Sequence, residues 1–314
     1  MWRWFLLSLC LTVNSCGGSE GSTQVATETG LYLSPQYSVS QLTTYTDVIY
    51  SNRPNTGGLQ YTSDINKQTE LGSSTLNLKL DIGVPPNATA AQPQPLIILI
   101  HGGSFSSGAK EDFRQAALSY ARSGYVAATI NYRLTPNNTI NSAARLTAIA
   151  NASDDAMNAI RYLKANAVLY HIDPTRIATI GSSAGGGISL INAVEFDTLQ
   201  NTVSDYAGVS SQVAAAISTG ATLIDNTTNA DSYLFYQFAD TPILLFHANP
   251  TDSTTGATWG GNVLPTQSRI NASGNTCTLV AQPDMTHTVD LALGGIWWTN
   301  LKPFLWEKLR LASM

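Results

Sequence analysis

Two kinds of apolar run are written along this chain. In the first, apolar and polar residues alternate: Leu76, Leu78, Leu80 and Ile82 fall on one side, Asn77, Lys79 and Asp81 on the other. A period of two marks a half-covered strand, and Thr46-Asp47-Val48-Ile49-Tyr50 predicts a second strand upstream. In the other kind the alternation is gone. Leu96 to Ile100 is apolar on both sides, as a strand is in the middle of a covered, parallel sheet. Tyr125 to Asn131, Ile177 to Ile180, Val213 to Ser218, Pro242 to Phe246 and Cys277 to Ala281 read as further strands.

Helical spacing fills the intervals. Lys110 to Ser123 predicts a helix closed by Gly124. Ser153 is placed to cap another from Asp154 to about Asn166, with Asp154 and Asp155 in the first turn, where the helix dipole favours acids. Ala156, Ala159, Ile160 and Leu163 mark its apolar stripe. Within the less patterned stretch Asn137 to Ser153, Ala143 to Ala150 is a further helical candidate. A terminal helix holds Leu301, Leu305, Trp306 and Leu309, with Trp297 and Trp298 packing it. Strands alternating with helices predict an α/β fold, a mostly parallel central sheet covered by helices on both faces. There is no internal repeat, and residues 31–314 read as one domain without a large cap.

Composition narrows the classes of function. Asp, Glu, Lys and Arg make up 12% of the chain, against roughly 25% in an ordinary globular protein, so the surface leans on Ser, Thr, Asn and Gln. The net charge is −5 and no cluster of Lys and Arg is long enough to track a phosphate backbone, which argues against nucleic acid as a partner. At the N-terminus Arg3 precedes an apolar run from Trp4 to Val13, too short to span a bilayer as a helix. Val13-Asn14-Ser15-Cys16 resembles the end of a bacterial lipoprotein signal, and the small polar residues 17–30 read as a linker. Residues 1–16 are thus expected to be a signal segment and Cys16 a lipidation site, giving an exported protein that meets the membrane only through its anchor; an ordinary secretory signal cut nearby, and a secreted protein, is the alternative. Lipidation of Cys16 leaves Cys277 a lone thiol once Cys10 departs with the signal; a Cys16–Cys277 disulfide is the alternative. The histidines and cysteines show no metal-ligand spacing, and neither metal nor cofactor is expected.

Candidate chemistry centres on Ile177 to Gly187. β-formers stop at Gly181, and Ser183 stands in the middle of Gly181-Ser182-Ser183-Ala184-Gly185. Read as strand, sharp turn and helix, this is a G-x-S-x-G nucleophile elbow, with the serine hydroxyl above the sheet at a helix N-terminus. A nucleophilic serine needs a base, an acid to hold that base, and donors for an oxyanion. In an open parallel sheet all of these must lie beyond the carboxyl ends of strands. His101-Gly102-Gly103-Ser104-Phe105 follows one buried strand directly, and Asp284-Met285-Thr286-His287-Thr288 follows the last. His287 is the candidate base. Asp252 and Asp225, each after a strand, are the candidate acids.

The pairing of HGGSF with GSSAG, together with NYRLTP (Asn131 to Pro136) and HIDPTRIATIGSSAGG (His171 to Gly186), resembles the carboxylesterase branch of the α/β-hydrolases. The likeness is strongest to hormone-sensitive-lipase-like and feruloyl-esterase-like enzymes, covers roughly Tyr45 to Leu311, and is dense from Leu96 to Gly187. It implies a serine carboxylic ester hydrolase acting on short-chain, aromatic or acetyl esters, with Ser183, His287 and Asp252 as the triad. The oxyanion hole it implies is built from the backbone N–H groups of Gly103, Ser104 and Ala184, with His101 ordering the loop. Relatives often carry glycine where this chain has Ser104, so a glycine-like backbone there would be strained. The triad acid falls five residues after His247, where the related H-G-x-x-D pattern places it four after, so this loop must bulge by one residue. Substrates would be small-molecule or polysaccharide-linked esters. Amide hydrolysis on the same constellation, and a non-catalytic surface binding module, are the alternatives. Tyr233, Phe235, Tyr236 and Phe238 are candidates for a substrate pocket or for helix core.

Overall fold

The structure, a computed structural model, describes residues 30–55, 61–135, 143–197, 204–224 and 241–311. Asp225, the aromatic residues from Tyr233 to Phe238, and Cys16 lie outside them.

Among the described residues the strands form an eight-stranded sheet. Chain order gives β1 (Thr43–Pro54), β2 (Thr75–Val84), β3 (Gln94–Ile100), β4 (Val126–Ile130), β5 (Ile172–Ser182), β6 (Ala215–Thr219), β7 (Ile243–Ala248) and β8 (Cys277–Gln282). The order across the sheet is β1-β2-β4-β3-β5-β6-β7-β8. β1 and β2 run antiparallel and β2 meets β4 antiparallel, whereas β4 through β8 are joined by parallel pairing. The alternating strand found in the sequence is thus β2 on the antiparallel flank, and the runs without alternation are the parallel centre. Every residue of β3, β4, β6 and β7 is buried.

The helices are α1 (Arg114–Arg122), α2 (Ala143–Ala165), α3 (Ala184–Glu195), α4 (Leu264–Ala272) and α5 (Trp298–Lys308). The pleat of β3 divides the core between them. Leu96, Ile98 and Ile100 join a cluster with Ala152, Ala156, Ile160 and Leu163 of α2. Ile97 and Leu99 join Tyr120 of α1 and Leu301 and Leu305 of α5 on the opposite face. Toward β7, Leu245 packs with Leu190 and Val194 of α3 and Ile270 of α4. The sheet is therefore covered on both faces, as its apolar runs require. No helix among the described residues is long and apolar enough to cross a membrane.

One expectation is corrected. Ser153 caps nothing: α2 is one helix of 23 residues, and Ser153, Asp154 and Asp155 are all buried in its interior. A seam of small residues (Ala148, Ala152, Ala156, Ala159) lets that helix lie close to the sheet, which removes the strong apolar contrast a periodicity search relies on. A helix not among those expected from the sequence, α4, is preceded by a π-turn over Trp259–Val263. A parallel β7–β8 pair needs a crossover there.

Candidate active site

The nucleophile candidate is fixed by steric necessity. β5 ends at Ser182 and α3 begins at Ala184, so Ser183 alone makes the turn, at φ 54° and ψ −118°. Holding a residue with a Cβ in that region costs about 1–3 kcal/mol, which the surrounding backbone must outweigh. Ser183 donates its N–H to Thr219 O at 2.8 Å and accepts from Gly187 N at 3.0 Å. A Cβ at Gly181 would stand 2.0 Å from Gly185 O, and one at Gly185 would stand 2.1 Å from Ile100 O. Both glycines of the motif are there because strand, helix and β3 leave no room for a side chain.

The loops beyond β7 and β8 deliver the partners. His287 Nε2 lies 2.8 Å from Ser183 Oγ, and His287 Nδ1 lies 2.6 Å from Asp252 Oδ2. A carboxylate accepts, so Nδ1 carries the proton and Nε2 is left to accept from the serine hydroxyl. Asp252 is fully buried and His287 is 18% exposed. The backbone N–H groups of Thr254 and Thr255 donate to Asp252 Oδ1 at 2.7 and 2.9 Å. Burial pushes this carboxyl's pKa up, but the hydrogen bonds from His287, Thr255 and Thr254 outweigh it and hold the pKa below the usual carboxylate value. The acid loop closes on itself through Asp252 N–H to Ala257 O at 2.9 Å and an isolated bridge between Thr251 and Thr258. It is tied to the histidine loop by Ser253 N–H to Met285 O at 3.0 Å. Val289 N–H, donating to Thr219 Oγ1 at 2.9 Å, ties the histidine loop to the end of β6.

The other histidines do different things. His247 is inside β7 and buried; its Nδ1 lies 3.1 Å from Ala248 O, and its Nε2 is 3.9 Å from Asp252 Oδ2. Burial lowers its pKa and favours the neutral ring. His101 is buried too, stacked on Tyr132 with centroids 4.2 Å apart, and its Nδ1 lies 2.8 Å from Gly102 O. Burial lowers its pKa as well, so it holds the loop as a neutral ring. The Tyr132 hydroxyl donates to His101 O and Gly102 O at 2.9 and 3.0 Å.

That loop carries Gly103 at φ 100°, Ser104 at φ 57° and Phe105 at φ 59°. The expected glycine-like backbone at Ser104 is present, and Phe105 shares it. Ser104, Phe105, Ser183, Ala184 and His287 open on one cavity of about 250 Å³, with Ile149, Ile191 and Leu223 as apolar wall and Arg145, His247 and Asn262 as its polar part. Ala184 is the first residue of α3, a position whose N–H has no intrahelical acceptor and points at the helix's positive end. Neither the Tyr132 hydroxyl nor Arg145 was singled out from the sequence. Tyr132 could have been found inside NYRLTP, whereas Arg145 sits in the less patterned stretch between Asn137 and Ser153, in no motif. Among the described residues no cluster of His, Cys, Asp and Glu is arranged to hold a metal ion.

A hydroxyl on an imidazole, backed by a buried carboxylate at the carboxyl edge of a mixed sheet covered on both faces, defines an α/β-hydrolase. The chain belongs to the BD-FAE family, whose model matches residues 80–258. It is 31% identical over 100 residues to carboxylesterase NlhH of Mycobacterium tuberculosis, a match covering 32% of this chain and 28% of that protein. It is 29% identical over 110 residues to ethyl acetate hydrolase of Pseudomonas putida, covering 35% of this chain and 32% of that one. The chain thus spans about a third or less of these curated relatives. In three dimensions it resembles butyrate-bound esterase 2 of Thermogutta terrifontis, with TM-score 0.56, 23% identity, and 82% of this chain matched to 92% of that one.

Proposed function

We propose that this protein is a serine carboxylic ester hydrolase. The observation that carries the reading is the continuous contact from Ser183 Oγ to His287 Nε2 (2.8 Å) and from His287 Nδ1 to Asp252 Oδ2 (2.6 Å). In this reading His287 removes the Ser183 proton as Oγ attacks the ester carbonyl. The oxyanion forms against the backbone N–H groups of Gly103, Ser104 and Ala184, while Asp252 stabilises the imidazolium. His287 then protonates the departing alcohol. A water molecule gives its proton to His287, attacks the acyl-enzyme carbonyl, and releases the acid with Ser183 restored.

Short acyl or acetyl and aromatic esters are the proposed substrates. A cavity of about 250 Å³ with an apolar wall suits a small acyl group, and the butyrate carried by the structural relative points the same way. The expected location is outside the cytoplasm, with Cys16 lipidated, on the strength of the N-terminal pattern; incorporation of labelled palmitate into wild type and not into Cys16→Ala tests this.

The decisive experiment is hydrolysis of p-nitrophenyl acetate. Wild type is expected to turn over and to be stopped by a serine-directed phosphonate. Ser183→Ala is expected to lose about 10⁶ in kcat. Turnover retained in Ser183→Ala overturns the assignment.

A further inference from the structure

The loop before the cavity bends through two successive side-chain-bearing residues in the left-handed region, Ser104 at φ 57° and Phe105 at φ 59°. Residues with a Cβ stay there only when their surroundings hold them. A peptide plane carries the carbonyl of one residue and the N–H of the next on opposite edges, so a group that grips a carbonyl aims the following residue's amide and fixes the conformation of the residue before it. Along this loop the grips can be named. Gly102 O is held by the Tyr132 hydroxyl, Gly103 O by the N–H groups of Ser106 and Ser107, and Phe105 O by Thr135 N–H. Ser104 O accepts from Nη1 of Arg145, and the same guanidinium lies 4.8 Å from the centre of the Phe105 ring. Arg145 reaches in from the first turn of α2. One side chain thus touches both strained residues, from a separate element.

We infer that Arg145 is a positioning residue of this site. It clamps the Ser104–Phe105 peptide plane and thereby keeps Ser104 in its left-handed conformation, between that plane and the one gripped at Gly103 O, so that the Ser104 amide in the latter stays aimed at the developing oxyanion. Arginine suits the task because its planar guanidinium can donate at its edge while its face lies on a ring; an ammonium offers only a point charge. The clamp answers the presence of a Cβ at position 104, because glycine holds that backbone without strain. The inference rests on the esterase reading above, and the following comparison separates the two.

Steady-state kinetics on p-nitrophenyl acetate would be measured for wild type, Ser183→Ala, Arg145→Ala, Arg145→Lys and Arg145→Gln, and for Arg145→Ala placed on Ser104→Gly. Arg145→Ala is expected to lower kcat by about 10–100-fold with KM changed by less than about twofold, since a misaimed donor acts on the transition state. Arg145→Lys should fall between wild type and Arg145→Ala. On the Ser104→Gly background the Arg145→Ala loss should shrink to less than about threefold, because glycine needs no holding. A loss confined to folding stability would not show that dependence on residue 104. Arg145→Gln takes the place of Arg145→Ala in both backgrounds if circular dichroism shows the alanine variant unfolded. An unchanged kcat, a loss carried by KM, or an equal loss on both backgrounds overturns the inference. Wild type without Ser183-dependent turnover overturns the esterase reading and the clamp with it; wild-type turnover that ignores Arg145 overturns the clamp alone.

Discussion

Asp155, in the middle of α2, is gripped by Arg133 three times. The guanidinium reaches both carboxylate oxygens at 2.8 Å, and the Arg133 backbone N–H reaches Oδ2 at 2.9 Å. Arg53 of β1 approaches the same carboxylate at 3.5 Å, and all three residues are buried. Tyr132, whose hydroxyl holds the His101–Gly102 carbonyls, is the residue next to Arg133. The pair therefore fixes the base from which the His101–Gly102 loop is held.

Removing one partner of such a pair leaves an uncompensated buried charge, which costs about 3–5 kcal/mol, more than the pair itself contributes over an apolar substitute. Asp155→Asn should lower stability by about that amount, read as a shift in the urea midpoint with the slope unchanged. Asp155→Leu combined with Arg133→Met should recover part of the loss. A single variant as stable as wild type would show that the charge is compensated elsewhere.

This pair also marks where the sequence stops being legible. The α/β architecture could be read because β3 carries apolar residues on both faces and β2 on alternate positions, and that pattern is local. The elbow, the HGGSF loop and His287 could be read because each follows a strand. Asp154 and Asp155 were read as charges at a helix start, since adjacent acids after a serine look the same whether they face water or a buried arginine. The partner of Asp155 lies 22 residues away, and no local pattern announces it. Arg145 was hidden for the same reason, because Ser104 is 41 residues from it.

Gly220, at φ 72°, closes the end of β6 directly behind His287: a Cβ added there would stand 2.3 Å from His287 O and 2.8 Å from Thr288 Cγ2. Backbone atoms cannot swing aside, so Gly220→Ala must move the histidine loop. A displacement of that kind is worth about 10²-fold in rate when it separates reacting groups. We expect kcat to fall by about that factor, with phosphonate labelling of Ser183 slowed in parallel. Labelling at the wild-type rate would mean that the loop relaxes without moving the imidazole.

Cys277 opens β8 and is 3% exposed. Burial pushes its thiol pKa up to about 12, so the reactive thiolate is scarce and shielded at neutral pH. A thiol-specific reagent should leave this residue unmodified in the folded protein and label it once denaturant is added. Rapid labelling under native conditions would contradict its packing between β7 and α4.

The same physical chemistry gives stability a dependence on acid. His101 and His247 are held neutral by burial, with pKa values below the ordinary 6.5; the carbonyls of Gly102 and Ala248 oppose that burial without cancelling it. Asp112, Asp64 and Glu111 face His101, and Asp252 and His287 face His247, each acting more weakly than burial. Below about pH 6.5 the unfolded chain binds protons at these two rings that the folded chain refuses, so stability falls as the pH falls. The carboxyls of Asp252, Asp197 and Asp173 lie below the ordinary 3.8, because hydrogen bonds outweigh burial. Their contribution is complete above that value and is lost as the pH drops through their folded values. Thermal unfolding from pH 8 to pH 3 should therefore show a first decline beginning near 6.5 and a steeper one below about 4. His101→Gln, which fills similar space without titrating, should flatten the first decline and leave the second. A first decline that survives both His101→Gln and His247→Gln would mean that neither buried imidazole resists protonation in the folded chain.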